Sequence, residues 1–235
     1  MKKNKLMRLA SGLMVLTLLS TCAISGTYAK YVTSGSGSDS ARVAKFGVEV
    51  TAASTMFSET YELHDSTQTG VGTHSVVSSA TGEKLVAPGT SGDMADIEIS
   101  GTPEVAVEVA YEATVDLGDN WVYNDGNSNA YYCPITITVN NTDYYGLDYS
   151  SASEFENAVK AAITGYSKSY EAIKDLSTVS GVSSTDDLAI SWAWAFEGTD
   201  DKQTDAKDTY LGDQAADGSP ATIEIDVTCT VTQID

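Results

Sequence analysis

Basic residues are scarce in this chain. Thirteen Lys and Arg stand against 33 Asp and Glu in 235 residues, a formal charge of −20. Such a surface repels phosphate backbones and anionic bilayers, which argues against nucleic acid or a charged membrane surface as partner. Histidine is scarcer still, with only His64 and His74. No H-E-x-x-H pattern is present to hold a protease zinc on one helix face. The G-x-x-x-x-G-K-[ST] phosphate loop and the G-x-S-x-G nucleophile elbow are absent too. Gly89-Thr90-Ser91-Gly92-Asp93 nears the latter in composition but not in spacing, and reads as a turn. Beyond Ile24 no uncharged apolar stretch approaches the roughly 20 residues of a spanning helix. Cysteine numbers three: Cys22, Cys133 and Cys229. A cysteine nucleophile needs a histidine base in reach, and Cys133 and Cys229 fall at core-facing positions of strand-like runs. Packing accounts for them better than catalysis does.

What is present begins at the N-terminus. Lys2, Lys3, Lys5 and Arg8 form a positive segment, followed by 16 apolar or small residues from Leu9 to Ile24. Thr27-Tyr28-Ala29 then places small residues three and one positions before a cut between Ala29 and Lys30. That is the layout of a secretory signal peptide, residues 1–29, and the run is short for a retained anchor. The membrane is therefore expected as a partner only before cleavage. Four of the 13 basic residues lie in 1–29, leaving 9 against 33 acidic ones and a net charge of −24. The C-terminus carries neither a wall-sorting motif nor a hydrophobic tail, so the expected mature protein is released or held by other proteins. Export makes a Cys133–Cys229 disulfide chemically open, and two buried thiols fit as well.

The mature chain reads as strands. A Gly/Ser-rich leader, residues 30–41, precedes an alternation that puts Ala44, Phe46, Val48 and Val50 on one face from Arg42 to Val50. Further alternating runs are Thr60–Leu63, Met94–Ile99, Glu104–Val115, Tyr132–Val139, Leu188–Phe196 and Thr222–Ile234. Polar residues at alternate positions predict antiparallel sheets with one wet face. A helical insertion is predicted over about 151–176. Ser153 and Glu156 form its capping box, Phe155, Val159, Ile163 and Tyr166 its apolar stripe, and Tyr170, Ile173 and Leu176 its continuation past Gly165. The expectation is a mainly β fold, one antiparallel β-sandwich domain over 42–235 with a helical insertion.

Two clusters invite a binding reading. Asp116, Asp119 and Asp125 crowd a loop with Asn124, Asn127 and Asn129, and Asp200, Asp201, Asp205 and Asp208 crowd another. Neither has the spacing of a calcium loop, so solvated acidic loops account for them, with calcium as the alternative ligand and Asp116, Asp119 and Asp125 as its candidates. No other cofactor is expected. Tyr123, Tyr131, Tyr132, Tyr144, Tyr145 and Tyr149 lie close together, and aromatic strips of this kind stack on sugars or pack at interfaces. Trp121, Trp192 and Trp194 read as core.

The N-terminal junction carries a resemblance. Gly26-Thr27-Tyr28-Ala29, a Ser-rich leader, and Phe46-Gly47-Val48 opening an acidic β-rich domain resemble the camelysin/TasA family of secreted Gram-positive proteins. Leu85-Val86-Ala87-Pro88-Gly89 is similar to the family's turn before a strand, and Asp208-Thr209-Tyr210-Leu211-Gly212 followed by Ile223–Val231 to its closing segment. The resemblance implies a SipW-type signal peptidase as partner during export and a jelly-roll-like sandwich. It further implies self-association into extracellular biofilm-matrix fibres, in which an N-terminal strand of one subunit completes the sheet of the next. The donor residues would be Val43, Ala44, Phe46, Val48 and Val50. Alternatives are an adhesin module that binds carbohydrate or protein through the Tyr-rich loops, and the metal-dependent protease that the name camelysin implies.

Overall fold

The structure is a computed structural model that describes residues 42–52, 56–63, 74–94, 97–178, 188–196 and 202–234. The signal segment, the Ala29/Lys30 junction, the leader, Cys22, His64, Asp200 and Asp201 lie outside the described residues. The chain divides into two units, residues 1–45 and 46–235. Of the first, only residues 42–45 are described; they form no strand, and Val43 is 92% exposed.

In the second unit the strands are β1 (Val48–Ala52), β2 (Thr60–Leu63), β3 (His74–Val77), β4 (Ser91–Asp93), β5 (Ile97–Gly101) and β6 (Val107–Leu117). They continue as β7 (Val122–Asn124), β8 (Asn129–Tyr131), β9 (Ile135–Val139), β10 (Thr142–Tyr145), β11 (Ser167–Tyr170), β12 (Ile190–Trp194) and β13 (Ile223–Gln233). Among the described residues two α-helices accompany them, α1 (Ala152–Thr164) and α2 (Asp205–Ala216). Every pairing among the described residues is antiparallel: a four-stranded sheet ordered β10-β9-β12-β4, a three-stranded sheet ordered β11-β6-β13, and the ribbons β1–β5, β2–β3 and β7–β8. The fold is the mainly β, antiparallel sandwich with a small helical part that the alternation predicts.

Period-two patterning decides which side chains go inside. Val107, Val109, Tyr111, Ala113 and Leu117 of β6 are buried, as are Ile135, Ile137 and Val139 of β9 and Ile190, Trp192 and Trp194 of β12. β13 runs in register with β6 for 11 residues, Ile223 opposite Leu117 through Gln233 opposite Val107. It is an edge strand, so of its apolar face only Ile225 is fully buried. Trp192 shows why Gly92 sits in β4. The Trp192 indole N–H donates to the Met56 carbonyl at 2.6 Å, and a Cβ on Gly92 would stand 2.3 Å from that oxygen. Phe57 and Tyr61 complete an aromatic cluster on the same ring, 5.2 and 5.9 Å between centroids.

Helix α1 is shorter than the predicted insertion and starts differently. Ser151, not Ser153, is its N-cap, with its hydroxyl accepting from the Glu154 N–H, while the Glu154 carboxylate reaches back to Ser150. Glu156 serves the sheet instead, because its carboxylate accepts the Leu117 N–H at 2.8 Å. The reason is topological. β11 covers the β6 edge only from Val107 to Ala110, and Glu156 satisfies a backbone donor farther along. Phe155, Val159 and Ile163 are buried as the periodicity predicts, each contributing about 1.5–3 kcal/mol by leaving water. The helix ends at Thr164, and the predicted continuation is overturned. Ser167–Tyr170 pairs with β6 as a strand, Ile173 is exposed, and Leu176 is buried in a separate 3-10 turn.

Candidate functional site

The N-terminal strand is shorter and later than its alternation suggests. Regular pairing begins at Val48, not Arg42, and runs to Ala52 against β5, Val48 opposite Gly101 and Ala52 opposite Ile97. The expectation of one buried face from Ala44 to Val50 fails. Ile97 and Ile99 across the ribbon are buried, yet Phe46 is 41% and Val50 38% exposed, and Ala44 and Val48 are only half-buried. Gly47 precedes the strand with φ +44, and its carbonyl crosses so close to Gly101 that a Cβ there would lie 2.1 Å away.

The second feature is a buried polar network that sequence reasoning missed. Tyr132 Oη donates to Asp208 Oδ1 at 2.5 Å, and Gln203 Nε2 donates to Asp208 Oδ2 at 2.9 Å and to the Ala195 carbonyl at 2.8 Å. Tyr145 Oη reaches Gln203 Oε1 at 3.4 Å. Asp208 and Gln203 are both buried. Lys207 stands over the Tyr132 ring, 5.4 Å from its centroid, and Lys202 pairs with Asp148. Asp208 belongs to the first turn of α2, where a carboxylate also meets the positive end of the helix dipole. Local sequence shows an acidic loop here. Only the tertiary fold turns one of those acids inward.

The same network changes the reading of the tyrosines. Tyr132 is buried, Tyr123 packs edge-on against Tyr132 and Tyr210 at 6.5 and 5.3 Å, and Tyr149 packs on Phe155 at 5.4 Å. These rings hold the domain together instead of forming one open strip. Trp121, Trp192 and Trp194 are core residues, as expected.

Burial holds several phenols protonated. It is the first cause at Tyr132, followed by the hydrogen bond to Asp208, and the first cause at Tyr131, followed by the adjacent Cys133. Tyr61 and Tyr149 shift upward as well, again chiefly by burial. A phenol with a raised folded pKa contributes stability that is fully present below its unfolded value, about 10. Above that pH the unfolded chain releases protons the folded chain retains, so stability falls as pH rises. Urea midpoints should therefore drop steadily from about pH 9.5 to about pH 11.5; a flat profile across that window would contradict the burial.

Cys133 lies on the segment entering β9 and Cys229 on β13, and no bond joins them in the structure. Burial pushes the Cys133 thiol up to about 12, so little thiolate forms at neutral pH. Cys229 is half-buried. In the native protein a thiol reagent should label Cys229 first, with Cys133 about 100-fold slower or more because its labelling waits on opening of the fold. Equal rates, followed by mass spectrometry, would refute this placement.

The calcium candidates are not brought together. Asp116 lies on β6 opposite Glu224, and Asp119 sits in the turn before β7. Asp125 uses one carboxylate oxygen to accept from the Asn127 and Ser128 N–H groups of its own turn, which lowers its pKa. Among the described residues no group of three or more His, Cys, Asp and Glu is placed to hold a metal ion. No helix among them is long and apolar enough to cross a membrane. No family model, curated protein or solved structure matches this chain.

Proposed function

We propose that this is an exported structural protein of the extracellular matrix that assembles into fibres by exchanging its N-terminal strand, after a SipW-type peptidase removes residues 1–29. One observation carries the reading. Among the described residues β1 is held by a single partner strand over five residues, while Phe46 and Val50 keep apolar surface in water. A strand so lightly held detaches easily, and its backbone and apolar face suit addition to an equivalent β5 edge. Passing a strand from each copy to the next is a heterologous contact that does not close on itself, and such contacts build filaments. The strong negative charge would keep unassembled copies apart and make assembly sensitive to salt.

The test is electron microscopy of the chain from Lys30 onward beside one starting at Thr51. Fibres are expected from the first and none from the second. Fibres of normal form from the shortened chain would sink strand exchange, and no fibres from either would sink the assembly reading altogether.

A further inference from the structure

Among the described residues β13 is the longest strand with an open edge. It runs beside β6 for 11 residues in one unbroken register, and no described strand pairs with its other side. The remaining edge strands of the two larger sheets, β4, β10 and β11, are only three or four residues long. Proteins ordinarily blunt a long edge with Lys, Pro or a bulge, because its outward N–H and C=O groups recruit other strands. The β13 sequence, Ile-Glu-Ile-Asp-Val-Thr-Cys-Thr-Val-Thr-Gln, contains no Lys and no Pro, and its register has no bulge. β1 passes near this strand but pairs with β5.

The ladder fixes which backbone groups face the open side. At its two ends the Gly118 N–H donates to the Thr222 carbonyl at 2.9 Å and the Ile234 N–H to the Ala106 carbonyl at 3.0 Å. Bonding alternates along an antiparallel ladder, so even-numbered residues of β13 bond to β6 and odd-numbered ones turn their N–H and C=O outward. The side chains alternate as well. Ile223, Val227, Cys229 and Val231 are half-buried, so the apolar face reaches the edge incompletely covered. Glu224, Asp226, Thr228, Thr230 and Thr232 are exposed on the other face. Both acids of that face precede Thr228, and only threonines follow it.

We propose that β13 is a homodimer contact, with β13 of a second copy lying antiparallel beside it and the two-fold axis at Thr228. In this register Glu224 faces the partner's Thr232 and Asp226 faces the partner's Thr230, so every carboxylate meets a hydroxyl. On the apolar face Ile225 meets the partner's Val231, and Val227 the partner's Cys229. All 11 residues pair, and a shift to either side loses pairs at both ends. A parallel strand in register would instead set Glu224 and Asp226 against their own copies, and like charges directly opposite are destabilising. The acids thus select the antiparallel arrangement. Such a two-fold contact closes on itself and joins two three-stranded sheets edge to edge. It uses neither β1 nor β5, so it does not depend on strand exchange.

The experiment uses the exported chain, residues 30–235. Sedimentation of its soluble fraction should show monomer giving way to dimer as concentration rises. Thr228→Cys, made together with Cys229→Ala, should form disulfide-linked dimers on mild oxidation, because the two thiols face each other with Cα atoms about 4.5 Å apart. Glu224→Cys in the same background sets them roughly 27 Å out of register and should stay monomeric on a denaturing gel. Thr230 faces Ala110 in its own sheet, so a charge placed there acts chiefly on the partner's Asp226. Thr230→Lys should tighten the dimer about three- to tenfold and Thr230→Glu should loosen it by as much. Val227→Pro removes an outward N–H and spares the β6 ladder, and should loosen the dimer about tenfold or more. Monomer at every concentration overturns the proposal. So do crosslinks as frequent with Glu224→Cys as with Thr228→Cys, or Thr230→Lys and Thr230→Glu acting in the same direction. If Val227→Pro does not fold, the crosslinks and the charge variants decide the matter. The crosslink is read whether or not fibres form, so this contact and strand exchange fail separately.

Discussion

Gly101→Val should unseat β1 from the domain. Gly101 has φ +115, a region that side chains rarely adopt, and the added Cβ would fall 2.1 Å from the Gly47 carbonyl and 3.2 Å from the Val48 Cα. Backbone on both sides fixes the clash, so no rotamer relieves it. The easiest response is to release the partner, because among the described residues β1 pairs along one side only. Global stability should fall by about 1–3 kcal/mol, the usual cost of strain at such a site. Hydrogen exchange should report the larger effect: amides of Val48–Ala52 should lose protection about 100-fold or more while those of β6 and β9 keep theirs. Unchanged protection along β1 would show that the crossing of Gly47 over Gly101 is not what seats the strand. Glu49→Ala, at an exposed position of the same strand, should leave both quantities nearly unaltered.

That strand also marks the limit of what alternation reveals. Period two places β6, β9, β12 and β13 within about three residues at each end, because each buries one face against a layer that the pattern itself implies. In Arg42–Val50 the same period exists without a layer to meet it, so the strand starts at Val48 and its apolar face stays partly wet. The helix boundary misleads for a different reason. Ser151/Glu154 and Ser153/Glu156 are both acceptable capping boxes, and the choice falls to Glu156, which a β6 N–H requires. Ser167–Tyr170 resembles a continuing helix, since Tyr166, Tyr170 and Ile173 keep helical spacing; the open β6 edge claims its backbone instead. Strand pairing is a non-local fact and leaves little trace in a four-residue window.

The candidate sites are less legible still. The acidic and tyrosine-rich segments are visible as composition, but composition does not say which acid turns inward. Asp208 lies among Asp205 and Asp213 with nothing local to distinguish it, and its partners Tyr132 and Gln203 come from outside the helix. Trp194, whose buried N–H has no acceptor among the described residues, reads in sequence as one more core residue. Sites assembled from distant segments are written in the fold and not in the spacing.

Asp208→Ala should accordingly be the most damaging substitution at any of the acidic positions of α2. Of the residues in that helix, only Asp208 and Leu211 are buried, so hydrophobic burial alone gives it a weak hold on the sandwich. Removing the carboxylate strands the Tyr132 hydroxyl and one Gln203 N–H in a buried site, and each orphaned donor costs about 1–3 kcal/mol. The helix also loses an acid from its positive end. A total loss of about 3–5 kcal/mol is expected in urea unfolding, large against the roughly 5–15 kcal/mol of net stability a folded domain holds. Tyr132→Phe removes one donor but leaves the buried Asp208 Oδ1 without it, and should cost about 1.5–3 kcal/mol, less than Asp208→Ala. In the double variant the penalty should be smaller than the two single losses combined, because Asp208→Ala no longer leaves a stranded phenol once the phenol is gone. Strict additivity, or an Asp208→Ala loss below about 1 kcal/mol, would mean that α2 is held by its apolar contacts and that the network is incidental.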